Sequence, residues 1–337
     1  MNSFLSRALW AATFLTVAGA TAPLPARAAA PAAAAPATIA GLLAKPLYQF
    51  TEAEVGRYLA HLQATEPDLR KRIVHLARKN LGQPYELYLL GEMPFETHDP
   101  QPLYSLGKSD CLVFAEHTYA MALSGDWTGF MRLLQRIRYR DGHIGVVTRN
   151  HFTETDWNPS NNWLIRDLTA EIAGDRVLKF PEKIDRAKFL LGRYGLKTSI
   201  PVEDHIETCL PFAEVARAAS FLRDGDCVEV VRGIVKPGAP ANEIFGGAAW
   251  IGHVGLIAHG PDGALNIIHS SAPAVREESL AAFIARETAD LAQLDAAGKP
   301  RLLGFKFLRL ENDPLANLRR LDGPDAPRVT LPGGRPF

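Results

Sequence analysis

One stretch of the chain decides the fold class: WIGHVGLIAHGPDGALNIIH, residues 250–269. Its two ends are apolar runs rich in isoleucine, leucine and valine, which are typical of strands. The four residues between them, Gly-Pro-Asp-Gly at 260–263, are a strong turn signal. Two strands joined by so short a turn run antiparallel. The stretch therefore predicts a β-hairpin.

The register of this hairpin decides which side chains meet. With a three-residue loop at 260–262, His259 pairs with Gly263 and His253 falls directly opposite His269. Directly opposite Cβ atoms lie ~4.5–5.5 Å apart, so we expect the two imidazoles to touch. His269 would then fix the tautomer and orientation of the His253 ring. A one-residue slip would send the two rings to opposite faces of the sheet.

Helical patterns fill the amino-terminal part of the chain. A capping box at Thr51–Glu54 begins a first helix, Thr65–Asp68 opens a second, and a loop follows from Tyr85 to Leu106. The later elements include two more helices and several strands, predicted at 181–193, 211–222, Cys227–Val231, Trp250–Ala258, Ala264–His269 and Phe305–Leu310. Helices first and antiparallel strands later indicate an α+β fold.

Cys111 lies at a predicted helix start. It follows Ser109 and Asp110, and an apolar face with a helical period begins at Leu112. A cysteine in the first turn of a helix lies among unpaired amides at the positive end of the helix dipole, which favours the thiolate and lowers the thiol pKa. This position is typical of a nucleophile, although most free cysteines are small buried hydrophobic residues.

Three residues then have the chain order of a papain-type nucleophile, base and orienting residue: Cys111, His253 and His269. The hypothesis is amide hydrolysis through a thioester, with the Cys111 backbone amide helping to hold the oxyanion. Tyr104, seven residues before the cysteine, could donate a second hydrogen bond to the oxyanion.

The segment from Arg136 to Thr169 shows a pattern of short strands and turns. It contains polar and aromatic clusters around Arg149, Asn150 and Trp157. Arginine suits carboxylate groups and tryptophan suits sugar stacking, so these residues are candidates for substrate binding. The alternative is a buried polar network that braces a long insertion between the cysteine and the histidine. The sequence does not decide between the two.

Composition excludes several classes of function. The 337 residues carry 37 Lys+Arg and 37 Asp+Glu, which removes the electrostatic case for nucleic acid binding. With 47% apolar residues the chain is long enough for a large core. Three cysteines form no disulfide framework, although Cys209 and Cys227 could pair in an oxidising compartment.

Metal and cofactor sites are not predicted. His143, His151 and His205 do not show zinc-ligand spacing, so a metallo-amidase is a weak alternative. No Cys-x-x-Cys or His-x-x-x-His pair offers a structural zinc site, and we expect no cofactor.

The amino end carries a targeting pattern. An apolar stretch from Ala8 to Ala20 precedes the small-x-small sequence Ala26-Arg27-Ala28, which predicts a cleaved secretory signal and a periplasmic location. The stretch is shorter than the ~20 residues of a spanning helix, so we expect no transmembrane anchor. The predicted organisation is a signal peptide at 1–28, an Ala/Pro-rich tether at 29–44, a folded domain at 45–312 and a Gly/Pro-rich tail at 313–337.

Several strings together resemble a known bacterial family, labelled domain of unknown function 1460. It is described as N-acetylmuramoyl-L-alanine amidase-like and placed among the NlpC-type papain-like cell-wall hydrolases. The strings span most of 45–312 and are LGQPYELYLLGE (81–92), SDCLVFAEHTYAMAL (109–123), IRYRDG (137–142), RNHF (149–152) and GHVGLIAH (252–259). The resemblance implies a papain-like fold, Cys111 as nucleophile, His253 as base, His269 as the third polar residue and peptidoglycan or its muropeptides as substrate.

Two other classes of function stay open. One is a non-catalytic module that binds cell-wall fragments on the same fold. The other is acyl transfer, because an amine could intercept the thioester in place of water. Product masses discriminate, since hydrolysis adds water, transfer moves an acyl group and a binding protein yields neither. The bond that is cut and the oligomeric state are not predicted.

Overall fold

The computed structural model describes residues 37–211, 214–233, 249–289 and 301–322. Eleven α-helices lie in these ranges: α1 Ile39–Ala44, α2 Glu52–Thr65, α3 Leu69–Lys79, α4 Cys111–Ala122, α5 Trp127–Arg138, α6 Asn158–Ser160, α7 Thr169–Ala173, α8 Arg186–Tyr194, α9 Val215–Ala218, α10 Leu280–Ala289 and α11 Pro314–Asp322. The eight strands are β1 Ile165–Asp167, β2 Leu178–Ile184, β3 Glu203–Cys209, β4 Cys227–Gly233, β5 Ala249–His259, β6 Leu265–Ser271, β7 Ala274–Ser279 and β8 Arg301–Leu310.

The first helices begin where their capping residues predict. Thr51 accepts from the Glu54 amide and the Glu54 carboxylate accepts from the Thr51 amide, which completes the capping box of α2. Asp68 accepts from two backbone amides at the start of α3. Asp110 accepts from the Val113 amide, so α4 begins at Cys111 as predicted.

The folded part extends beyond the predicted 45–312 at both ends. Helix α1 lies inside the predicted tether, and Leu42 is fully buried because it packs in the main hydrophobic core. Helix α11 lies inside the predicted tail and contributes buried Pro314. The proposed signal peptide at 1–28 lies outside the described residues.

A six-stranded antiparallel sheet forms the centre, with the strand order β1-β8-β4-β5-β6-β7. The mixed α+β class is thus confirmed. One core lies between a sheet face and helices α2 to α5, and a second core lies on the other face with α7, α9 and α10. Strands β2 and β3 form a separate two-stranded sheet.

The predicted hairpin forms between β5 and β6, but its register is two residues away from the prediction. His259 pairs with Leu265 rather than with Gly263. The Gly260 amide donates to the Ala264 carbonyl at 2.8 Å, so the three-residue loop starts one residue later than expected. Such a loop favours a left-handed residue at its last position, and Gly263 supplies it with φ +77°. Since the shift is an even number, every side chain keeps its predicted face.

The segment 136–169 differs from its prediction as a run of short strands. Its first residues belong to α5, and β1 is its one strand. Most of the rest consists of turns, a 3₁₀ turn at Arg140–Gly142 and a π-helical turn at Thr153–Trp157. Likewise, the first residues of the helix predicted at 181–193 belong to β2, and the helix itself starts at Arg186. Burial alternates along β2 with the period of two that is typical of a strand, and the predicted helix overlapped the end of this strand.

All three cysteines are free. Cys227 pairs with Leu308 across β4 and β8, whereas Cys209 packs beside Gly304, four residues away along β8. Four residues of strand span ~13 Å, which is beyond the reach of a disulfide. The possible Cys209–Cys227 bond is therefore not formed.

Candidate active site

The amino end of α4 lies where β5 and β6 separate. These strands pair only from Leu256 with Ile268 to His259 with Leu265. Beyond that point β5 pairs with β4, and β6 pairs with β7. The sheet therefore has an opening between β5 and β6, and no backbone ladder closes it.

Two contacts hold the helix start across this opening. The Ser270 hydroxyl of β6 donates to the Ser109 carbonyl at 2.9 Å, and the two hydroxyls lie 3.0 Å apart. On the other side, the Cys111 thiol lies beside the backbone amide of Val254 in β5. Val254 and Ser270 directly follow His253 and His269 in the sequence. The helix start therefore contacts both strands one residue beyond the two histidines.

His253 and His269 form a hydrogen-bonded pair, which confirms the expected contact. His253 Nε2 and His269 Nδ1 are 2.6 Å apart, and the rings meet edge to face. Because of the register shift, His253 and His269 are not directly opposite each other, and their rings meet along a diagonal between β5 and β6. Both rings contact Phe283 of α10. The pair therefore occupies the sheet face toward α10, while α4 packs on the other face next to the opening.

Glu278 of β7 completes a chain of three polar side chains. Its Oε1 atom lies 2.8 Å from His269 Nε2. Burial acts to raise the pKa of Glu278, but hydrogen bonds from Arg286, from His269 and from a second arginine outweigh it and lower that pKa to about 2. The second arginine is Arg276, in the same strand. The sequence analysis missed Glu278 because it did not predict β7, whose register places residue 278 on the histidine face.

His253 Nδ1 has no hydrogen-bond partner in the part of the chain that the structure describes. In that part no hydrogen bond joins the Cys111 sulfur to the His253 ring either. The residue Cys111 is partly exposed, and its thiol lies beside the backbone amide of Val254, the residue that follows His253. Nδ1 is thus the ring nitrogen that remains available to accept a proton.

The thiol is not activated in the resting protein. Burial, with a further contribution from Asp110, raises the pKa of Cys111 to about 12. The expectation that the helix start lowers this pKa is therefore wrong, since loss of hydration outweighs the backbone amides. Burial also lowers the pKa of His253 to about 3, with His269 and Arg232 acting in the same direction. Across the physiological pH range the Cys111 thiol and the His253 imidazole are therefore both neutral.

Alkylation tests this neutral state. Because the thiolate fraction rises tenfold per pH unit below the pKa, modification of Cys111 by iodoacetamide is expected to accelerate about tenfold per unit between about pH 6 and pH 10. Peptide mass mapping after timed quenching measures the rate at Cys111 alone. A rate that levels off below about pH 8 would show an activated thiolate and contradict this state.

Tyr104 does not lie with the thiol, so its proposed oxyanion role is corrected. Its hydroxyl donates to Glu52, and its ring meets Trp127 edge to face with centroids 5.0 Å apart. The tyrosine beside Cys111 is Tyr85, whose pKa is raised by burial and then by Cys111. Backbone pairing with Ser109 holds it there. No spacing rule in the sequence pointed to Tyr85.

The three candidate substrate-binding residues belong to a buried polar network. We call this network the buried brace, and it consists of Arg149, Asn150 and Trp157 with their partners. Trp157 is fully buried and donates to the Glu116 carboxylate at 3.1 Å, so it offers no stacking surface. Asn150 is also buried and donates to the Ile137 carbonyl. Arg149 is paired with Glu92 and with other partners inside the protein. The buried-network alternative is therefore correct for these residues.

One cluster in the described residues brings together side chains of the kinds that bind metal ions. Atoms of Glu154, His205 and Glu207 lie within 4.8 Å of one another. The buried Lys306 ammonium lies 2.7 Å from Glu154 and 3.0 Å from Glu207. These carboxylates already have a cation, so the cluster is a salt-bridge network.

Comparison with known proteins agrees with this architecture. The solved structure of a Legionella pneumophila protein, described as family-model DUF1460, is 20% identical, with a TM-score of 0.63 over 77% of this chain and 94% of that one. An N-acetylmuramoyl-L-alanine amidase from Bacteroides uniformis is 20% identical, with a TM-score of 0.51 over 72% of this chain and 99% of that one. At this identity the likeness shows the fold alone.

No curated protein matches the chain in sequence. Among the described residues, no helix is both long and apolar enough to cross a bilayer. The family model for AmiA-like proteins, described as N-acetylmuramoyl-L-alanine amidase-like, matches residues 75–288, which include the helix start, both histidines and Glu278. The chain belongs to this N-acetylmuramoyl-L-alanine amidase-like family.

Proposed function

We propose that the protein is a cysteine-dependent amidase of the papain-like NlpC type that hydrolyses amide bonds in peptidoglycan stem peptides. One observation carries the proposal. A cysteine at a helix start lies beside the backbone amide of Val254, the residue that follows a histidine whose orientation is fixed by a second histidine and a carboxylate. This is the nucleophile, base and orienting-residue arrangement of covalent amide hydrolysis.

In the proposed reaction the sulfur of Cys111 attacks the carbonyl carbon while its proton passes to His253 Nδ1. The carbonyl oxygen becomes an oxyanion, to which the Cys111 backbone amide and the Tyr85 hydroxyl are suited as donors. His253 then gives the proton to the leaving amine, and the carbon–nitrogen bond breaks. Water attacks the thioester with His253 as base, and this step releases the carboxylic acid and restores the thiol.

The polar chain behind His253 supports its role as a base. His269 Nε2 is positioned to donate to the ionised Glu278, which leaves His269 Nδ1 as an acceptor for the proton on His253 Nε2. This arrangement places the free lone pair of His253 on Nδ1, toward the opening. It also stabilises the imidazolium that forms during attack, as an orienting carboxylate does in other hydrolases.

The substrate proposal rests on the family and on the expected location. Amidase-like relatives suggest a cell-wall polymer, and the pattern at 1–28 predicts export across the inner membrane. We propose that the protein is periplasmic. Peptidoglycan is the polymer present there, and its stem peptides contain amide bonds that a thioester mechanism can hydrolyse.

Digestion of defined muropeptides tests the function. The protein is expected to release two products whose summed mass exceeds that of the substrate by one water, and the new termini identify the bond. A third molecule carrying the acyl group would indicate transfer instead. Unchanged substrate that remains bound would indicate a binding protein. Either of these results overturns the proposal.

A further inference from the structure

An exposed aromatic residue lies directly beside the opening, on the loop that precedes α4. Tyr88 is 69% exposed and adopts a left-handed backbone conformation with φ +57°. A bulky residue rarely adopts this conformation, which costs of order 1–3 kcal/mol. Neither packing nor a hydrophobic core accounts for its placement, since the ring projects into solvent.

The loop places Tyr88 close to the reacting thiol. Its backbone amide donates to the carboxylate of Asp110, the residue before Cys111. Tyr88 is also a near neighbour of Tyr85, which lies beside the Cys111 thiol. Tyr88 therefore lies next to the start of α4, one residue away from Cys111 through its contact with Asp110.

Arg193 of α8 lies over the ring of Tyr88. The Arg193 guanidinium is 4.6 Å from the centroid of the Tyr88 ring, a cation–π distance. Arg193 is exposed, and in the described part of the chain no carboxylate pairs with it. A guanidinium over a ring face keeps its N–H donors in its own plane, so the donors that the neighbouring Tyr194 does not accept from can bind a planar anion.

Hydrogen bonds of the neighbouring residue Tyr194 hold the end of α8, and with it Arg193, in place. The next residue, Tyr194, accepts a hydrogen bond at 3.0 Å from Arg149, which is itself fixed by the buried Glu92. Helix α8 then ends at Gly195, in the left-handed conformation that such a terminus favours. The buried brace thus has a consequence at the surface, because it holds Tyr194 at the end of α8, next to Arg193.

A groove continues from Arg193 along α8. It has an open volume of about 490 Å³, and its walls include the rings of Phe152 and Phe189 and the side chain of Lys188. Its one carboxylate, Asp185, accepts from the Lys188 backbone amide at the start of α8. The groove therefore combines two apolar rings with the positive charge of Lys188, in addition to that of Arg193.

We propose that Arg193, stacked on Tyr88, binds a carboxylate of the anionic stem peptide and makes the protein selective for stems in which that carboxylate is free. This inference rests on the proposed function and adds the recognition element. Charge complementarity selects the occupant, since a guanidinium that has no carboxylate partner among the described residues suits a carboxylate and not a carboxamide. Arg193 acts here as a specificity residue that contacts substrate away from the scissile bond.

Calorimetric binding tests this subsite without turnover. The ligands are a disaccharide with a stem peptide whose acidic residue carries a free carboxylate, and its carboxamide counterpart. In the Cys111→Ala background, the acid form is expected to bind about tenfold or more tightly than the amide. Arg193→Ala is expected to abolish the difference and Arg193→Lys to retain part of it. Arg217→Ala, which removes an exposed arginine of α9, should preserve it.

Turnover provides the second readout. With Cys111 intact, Arg193→Ala is expected to raise KM for the acid form about tenfold or more while kcat stays unchanged. Equal binding of acid and amide by the Cys111→Ala protein, or a preference that survives Arg193→Ala, overturns the subsite. If the acid form binds selectively but the intact protein releases no product, the subsite stands and the proposed function fails.

Discussion

Replacing Cys111 with alanine is expected to lower kcat/KM for a muropeptide by roughly 10⁴-fold or more, because no other group can form the thioester. His253→Ala is expected to have an effect of similar size, since the thiol pKa of about 12 leaves almost no thiolate without a base. The two losses should not add in a double variant, because the residues act as one unit. Product release followed by chromatography measures all three proteins.

The matched control is Cys209→Ala, which removes a free thiol that is buried beside Gly304 of β8. It is expected to keep full turnover, although its melting temperature falls. Thermal unfolding of Cys111→Ala should match that of the native protein, since this side chain is partly exposed. If Cys111→Ala remains folded and retains turnover, the sulfur is not the nucleophile.

The largest expected effect on stability comes from Arg138→Met. Arg138 is buried in α5, and its Nη1 atom lies 2.7 Å from the Glu116 carboxylate of α4. Trp157 donates to the other oxygen of the same carboxylate. Removing the arginine leaves a buried charge without its partner, which costs about 3–5 kcal/mol in the free energy of unfolding. Denaturant unfolding measures this change.

A double variant separates the charge effect from lost packing. Arg138→Met combined with Glu116→Gln is expected to recover a large part of the lost free energy, since no uncompensated charge then remains. Each single variant should be less stable than the pair. If the losses simply add, the two residues are not coupled, and the account of the buried brace fails.

Local signals in the sequence were sufficient for the elements that carry the chemistry. Helix α4 begins at Cys111 because Asp110 caps it, and a cap depends only on neighbouring residues. Strands β5 and β6 are marked by their apolar runs and by the turn between them. The contact between His253 and His269 followed from period-two alternation, which a two-residue error in register leaves intact.

What the sequence could not supply depends on residues far apart in the chain. Glu278 reaches His269 only through the pairing of β6 with β7, a strand whose Arg276–Glu278 segment has no apolar alternation. Tyr85 lies near Cys111 because a loop pairs with Ser109. Burial of Trp157 likewise depends on α4 and α5 meeting around it.

The ionisation state of the thiol could not be predicted for the same reason. A helix start favours the thiolate, but the surrounding protein removes the water that would stabilise the charge. The second effect depends on the packing of β5 against α4 and is the larger of the two. The proposed mechanism therefore requires His253 to remove the thiol proton during attack.

The central claim is that amide hydrolysis proceeds through a covalent bond to the sulfur of Cys111. Mass spectrometry of the protein quenched in acid during turnover of a muropeptide tests it most directly. The account predicts an adduct with the mass of the acyl fragment, located by peptide mapping on Cys111 and absent from Cys111→Ala. Turnover with no adduct under conditions in which acylation is the faster step, or an adduct on a different residue, would contradict it.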